Sequence, residues 1–444
     1  MKKFLVVLLA LVVAGGAFAQ LADGISFGVW GQVGFTALEA QFYANSDKLP
    51  DGHDKDGDLH SALGPYWGWG TTHGRPARLQ FAGSAERIGF NLWLETDNGG
   101  VRIGDYASIW ALPWDFLRIE LGQFNNDTLR GKVGDTSTHP WVLESWTGPN
   151  YGDQDQIFHR FVSKPGAMFS LLPVEGLFIG AKVDVPFGTS QTALGQSGGL
   201  AKEVWSTLQV GAGYEIEGVG HARAQFLMNG LNTDAGRFDL SNFDPLNPVF
   251  SDIGLNLSRV ELAFAITALE DMLFDIGVKI PFAYKTNFGA GGDDIAFSGP
   301  FQLGLGADMS FGDFGINALV CASFGGGVEV DKDNKFTNGA DVNIHLYPSF
   351  KISDTDKLAL ELGLNIVGSS KTKAAGTDLD YNDGVFNLGA GLWYIKDLGN
   401  GNLSVGATFT SQGFSKDFKD APGYKDSAYE SAWFRIPIVL QVYF

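Results

Sequence analysis

One cysteine, Cys321, stands in a chain of 444 residues, so an intrachain disulfide framework is excluded. Proline is scarce, at 16, and charged residues are 18%, below the usual ~25%. Basic charge is in deficit: 31 Lys and Arg against 50 Asp and Glu leave a net charge of −19 and a pI near 4.7. That balance excludes nucleic acid as a partner, which would need a basic surface. After residue 20 no apolar run approaches the ~18 residues of a membrane-crossing helix. Catalytic signatures are missing as well: no HExxH, no GxSxG and no phosphate loop, and seven histidines without paired metal spacing. Asp51–Asp58, DGHDKDGD, fails as a calcium loop. With Gly57 as its glycine, position one would be Gly52 and position twelve Leu63. No catalytic residue, metal site or cofactor is expected.

Glycine and phenylalanine are abundant, at 60 and 35, and the mean hydropathy is +0.01. The first twenty residues read as an export signal: Lys2 and Lys3, ten apolar residues from Phe4 to Val13, then the small-x-small site Ala17-Phe18-Ala19. Residues 1–19 are thus expected to be removed, leaving 20–444 as one domain. No cysteine follows the cleavage site, which excludes a lipoprotein.

From there the apolar period is two. Leu358, Leu360, Leu362, Leu364 and Ile366 alternate with Lys357, Ala359, Glu361, Gly363 and Asn365. Phe301–Phe311 and Asn402–Phe409 repeat the pattern. These runs last ~9–14 residues, longer than the ~5–6 of a soluble sheet, and suit a tilted strand crossing a bilayer. Their second face carries Gly, Ser, Asn, Asp, Glu, Lys and Arg, which a water-filled lumen tolerates and a dry core does not. A sheet in lipid cannot leave an edge open. The expected fold is therefore all-β, a closed antiparallel transmembrane barrel. Eight short turns alternate with nine longer connections, implying 18 strands; merging one weak hairpin (Val219–Gly230 or Asp97–Ala111) would give 16.

The last strand places Phe434, Ile436, Ile438, Leu440, Val442 and the terminal Phe444 on one face. With the export signal and this architecture, the chain resembles a Gram-negative outer-membrane porin over nearly all of 21–444. Its glycine-rich strands and AFAQ cleavage region also resemble spirochaete outer-membrane proteins. The resemblance implies passive diffusion of small hydrophilic solutes through the outer membrane, with Leu440, Val442 and Phe444 as an assembly signal for the barrel-insertion machinery. It implies outer-membrane lipid as the surrounding medium and allows a homotrimer. A sugar-specific channel, with Trp93, Trp205, Trp393, Trp433 and Tyr443 as inward aromatics, and a surface adhesin using loop 39–73 are the alternatives.

LRIELGQFNND resembles the porin strand that leads into a pore-constricting loop, which would be Asn125–Gln156. The loop carries Asp127, Asp135, Glu144, Asp153 and Asp155; a purely extracellular loop is the alternative. By alternation Arg78, Arg87, Arg102 and Arg118 face the lumen, with Glu120 beside Arg118. Two arrangements fit: an arginine row opposing an acidic loop across a constriction, or a lattice of ion pairs with Glu95, Glu120, Glu215 and Glu261.

Overall fold

The computed structural model describes residues 25–43, 59–64, 77–97, 100–133, 157–184, 207–228, 258–281, 284–287, 294–331, 334–337, 339–368, 371–374, 377–380, 385–414 and 431–444. The expected export signal and most of loop 39–73 lie outside them.

Eighteen antiparallel strands form a closed circuit. In order around it they are β1 (Ile25–Tyr43), β3 (Ala77–Ala85), β4 (Ile88–Asp97), β5 (Gly100–Trp114), β6 (Leu117–Asn126), β7 (Phe161–Leu171), β8 (Leu177–Asp184), β9 (Gln209–Ile216), β10 (Gly220–Leu227), β11 (Arg259–Leu269), β12 (Met272–Pro281), β15 (Phe301–Phe311), β16 (Phe314–Phe324), β19 (Asp341–Lys351), β20 (Asp356–Val367), β23 (Val385–Asp397), β24 (Gly401–Phe414) and β25 (Ser431–Tyr443). β25 returns to pair with β1, from Trp30↔Tyr443 to Tyr43↔Ser431. One extra strand, β2 (Leu59–Gly64), continues the ladder on β1 beyond β3. Both hairpins whose merging would give 16 are separate strands, so the count is 18.

The alternation resolves into an apolar outside and a polar inside. On β20, Leu358, Leu360 and Ile366 are about 40% exposed, whereas Glu361 and Asn365 are 2% exposed. The same inversion recurs on β5, where Val101, Ile103 and Ile109 stand out and Ser108 is buried. Water cannot cover so continuous an apolar belt cheaply, and a bilayer can. At the short-turn ends the belt closes in exposed aromatics: Trp114 stacked on Phe116, with Phe311, Phe314, Phe350 and Tyr394. Trp110 and Trp393 face inward, Trp393 as expected of an inward aromatic. The Trp393 ring lies against Gly391 and Gly406, where added Cβ atoms would sit 2.7 and 2.5 Å from it. Leu362→Arg, mid-strand on the outer face, is expected to cost about 2–4 kcal/mol, and Leu398→Arg at a short-turn end about 0–1 kcal/mol. Urea unfolding of refolded protein in lipid vesicles checks this; equal costs would mean that depth in a bilayer does not govern this face.

Three of the longer connections, at 286–297, 327–339 and 371–383, contain strand. β13 (Tyr284–Asn287) and β14 (Asp294–Ser298), β17 (Gly327–Asp331) and β18 (Asn334–Thr337), and β21 (Lys371–Ala374) and β22 (Thr377–Asp380) continue the hairpins and pair into a second, six-stranded sheet. Above the bilayer neither face needs to be apolar, so the period-two signal vanishes while the ladder goes on.

Candidate functional site: the inner wall and its loop

The inner wall carries its charges in pairs. Glu95 is 1% exposed and bridges two arginines, with Arg78 Nη2 at 2.7 Å and Arg102 Nη2 at 3.1 Å. Gly104 makes room for it: a Cβ there would lie 2.6 Å from the Glu95 carboxyl carbon. Arg78 also lies over the Trp93 ring at 4.1 Å, and Tyr106 packs against Trp93 with ring centroids 4.2 Å apart. Both neighbours occupy the indole's surface, so it is not an open stacking platform. Nearer the short-turn end, Arg118 pairs with Glu120 at 3.2 Å and lies over Trp110. Ser108 Oγ donates to the same carboxylate at 2.9 Å.

The four arginines singled out in the sequence therefore do not form one row. Arg78 and Arg102 sit near the long-loop ends of β3 and β5, and Arg118 near the short-turn end of β6. Arg87 lies in the β3–β4 turn, half exposed, and pairs at 2.7 Å with Asp115 of the next turn. Alternation counted through a turn assigned it a wall position that the tight turn removes. The wall shows ion pairs at Glu95, Glu120 and Glu261, and buried Arg223 pairs with Asp275 on β12. Of the loop acids, Asp127 is half exposed, 3.5 Å from Arg160. Asp135, Glu144, Asp153 and Asp155 lie outside the described residues, as do Trp205 and the side chain of Trp433; Tyr443 is exposed at a short-turn end. Phe444 is held by its main chain, its N–H donating to Val29 O at 2.8 Å and its carbonyl accepting from Val29 N at 2.9 Å. Leu440 and Val442 face outward beside it.

The two arms of the long loop turn into the barrel. Tyr106 Oη donates to Asn125 O at 3.0 Å where β6 ends. The outgoing arm, Leu129–Val133, and the returning arm, Ile157–Phe161, then run side by side, Gly131 N donating to Phe158 O at 3.3 Å. Leu129 and Phe158 pack with Phe124, Phe161, Met168 and Phe178 on the inner face of β6–β8. Val133 and Ile157 pack with Leu319 and Cys321 on β16. From β9 to β15 the arms cross four strand spacings, about 19 Å at ~4.8 Å per strand. Gly306 and Leu319, which receive Val133 and Ile157, are the middle residues of β15 and β16. The arms therefore lie at mid-height, and they end eight strands round the circuit from β5, across the lumen from the Arg78–Glu95–Arg102 cluster.

Glycine explains how a flat wall takes them in. A Cβ at Gly277 would fall 2.1 Å from Ile157 O, and at Gly306 2.7 Å from both the Ile157 and Val133 side chains. At Gly211 and Gly213 it would fall 2.6 and 2.5 Å from Leu129. These four inward glycines form a trench that residues of any other type would fill. Polar contacts line its length: Lys132 N donates to Asp275 at 2.5 Å and His159 N to Glu261 at 2.7 Å. Arg223 and Gln225 each donate to a carbonyl at 2.7 Å, those of Arg130 and His159. Burial, reinforced by nearby Arg259, lowers the His159 imidazole to about 3, so the arm carries a neutral ring at ordinary pH. Among the described residues no group of three His, Cys, Asp or Glu side chains is placed to hold a metal. The trench escaped sequence reasoning because the inward glycines look like any small residues until the backbone they receive is known.

A scan against protein-family models finds no match, nor does a comparison with curated proteins. Among solved structures the chain is similar to the anion-selective porin from Comamonas acidovorans, at 13% identity over 95% of this chain and 100% of that one, with a TM-score of 0.44. It is similar to the trimer form of OmpT, an outer membrane protein of Vibrio cholerae, at 10% identity over 95% of this chain and 100% of that one, TM-score 0.41. Salmonella typhi OmpF gives 12% identity over 94% and 98% of the two chains, TM-score 0.41. The closed barrel itself stands on the strand pairing alone.

Proposed function

We propose that this protein is a bacterial outer-membrane channel through which small hydrophilic solutes diffuse passively, narrowed at mid-height by the loop 125–156. The observation that carries the reading is the pair of loop arms seated across the inner wall of an 18-stranded barrel whose outer face is apolar. A barrel of this size leaves a lumen, and a loop held across it sets the passage. Pairwise neutralisation of the wall charges favours broad passage over a strong filter. The covered indole of Trp93 and the fully buried Trp393 leave little for a sugar-stacking track. In this reading the barrel-insertion machinery delivers the chain to the outer membrane, and trimer formation is compatible with it.

Purified protein in planar bilayers should give discrete steps whose conductance rises linearly with salt. Neutral sugars should enter proteoliposomes at rates that fall smoothly with size. Absence of steps would sink the channel reading, and saturable preference for one sugar would replace it with a specific channel. Charge at the wall is tested by Arg118→Ala, which leaves Glu120 without its cation. The reversal potential should shift toward cation selectivity, more at 0.01 M salt, where screening reaches ~30 Å, than at 1 M, where it reaches ~3 Å. A shift toward anions would contradict the lumen placement of Arg118.

A further inference from the structure

The structure assigns Arg223, Gln225, Glu261 and Asp275, with Gln209 beside them, as a cradle that positions the loop by its main chain. This deepens the proposed function, naming the wall residues that would fix the constriction. Each arm atom hydrogen-bonded by these side chains is a backbone atom. Asp275 and Glu261 accept from the amides of Lys132 and His159, at 2.5 and 2.7 Å. Arg223, Gln225 and Gln209 donate to the carbonyls of Arg130, His159 and Arg160, at 2.7, 2.7 and 3.3 Å. The cradle is internally braced. Arg223 pairs with Asp275, Gln225 Nε2 donates to Glu261 at 2.8 Å, and Gln209 Nε2 donates to Gln225 Oε1 at 2.9 Å. Arg259 holds the other oxygen of Glu261 at 2.5 Å.

Four adjacent strands thus present a contiguous, buried polar surface whose hydrogen-bond partner is an edge of polypeptide backbone. At Lys132, His159 and Arg160 this surface reads main chain rather than side chain; the arms' apolar side chains are met separately, Phe158 by the Arg223 guanidinium at 5.3 Å and by its cluster. Lys132, His159 and Arg160 contribute amides and carbonyls there, while the glycine trench receives Leu129, Val133 and Ile157. The position of the constriction is therefore written on β9–β12, and the loop's own residues between the arms remain available to set what passes.

The chain's single cysteine supplies the probe. Cys321 is buried under Val133 and Ile157, so it should react slowly with a water-soluble maleimide while the arms are seated. Lys132→Pro with His159→Pro removes both donated amides without touching the barrel wall. This variant should label severalfold faster and show altered conductance. Lys132→Ala with His159→Ala keeps the amides and should label at the wild-type rate. Gly277→Val, which fills the trench from the wall side, should mimic the proline variant. Resistance of the folded barrel to dissociation in cold detergent verifies folding in each case. If the proline and alanine pairs label alike, recognition is not of the main chain and the inference falls. Labelling does not require conduction: a protein that labels as expected but forms no channel would refute the proposed function and leave the cradle standing.

Discussion

Excising residues 134–156 and joining Val133 to Ile157 through a short linker should raise single-channel conductance severalfold while leaving the barrel folded. The join is geometrically mild, because both residues meet in one apolar cluster against Leu319 and Cys321, and the arms are already paired at Gly131 and Phe158. The seated arms keep their cradle, so the cut removes only what extends beyond them. It also removes Asp135, Glu144, Asp153 and Asp155 and no Lys or Arg, so the chain loses four negative charges. Cation preference should fall accordingly, most at low ionic strength. Planar-bilayer conductance and reversal potential measure both effects. If neither moves, the excised segment lies away from the conducting path and the constriction is elsewhere.

Deleting Phe444 should abolish accumulation of the barrel in the outer membrane of cells and leave aggregated or degraded chain in the periplasm. Two roles converge on this residue. Its ring ends the alternating apolar face of β25, which resembles an assembly signal. Its main chain exchanges two hydrogen bonds with Val29 across the β1–β25 seam. The second role is worth about 1–3 kcal/mol for two bonds at ~0.5–1.5 kcal/mol each. Refolding into synthetic vesicles, where no insertion machinery acts, should therefore be weakened rather than lost. Undiminished insertion in cells would contradict the first role, and unchanged stability in vesicles the second.

Much of this protein was legible in its sequence because a membrane barrel writes one rule repeatedly. Leu358 to Ile366 had to alternate, since one face meets lipid and the other water, and the same constraint acts on every strand. The eight short turns, from Glu86–Arg87 to 398–400, interrupt that rhythm and so mark the strand count. The rim extensions escaped for the converse reason: at Lys371–Asp380 both faces meet water, and pairing leaves no compositional trace.

What tertiary structure alone decided is everything that depends on which strands face each other across the lumen. Alternation says that Arg223 and Asp275 point inward, but not that they meet, nor that Arg78 and Arg102 share Glu95 while Arg118 stands apart from them. It marks Gly211, Gly213, Gly277 and Gly306 as small, but not as the floor of one trench. Period two is a local property, set by the backbone pleat. Register and closure are global, and the loop's seat exists only where closure brings β9–β16 round to meet the arms that leave β6.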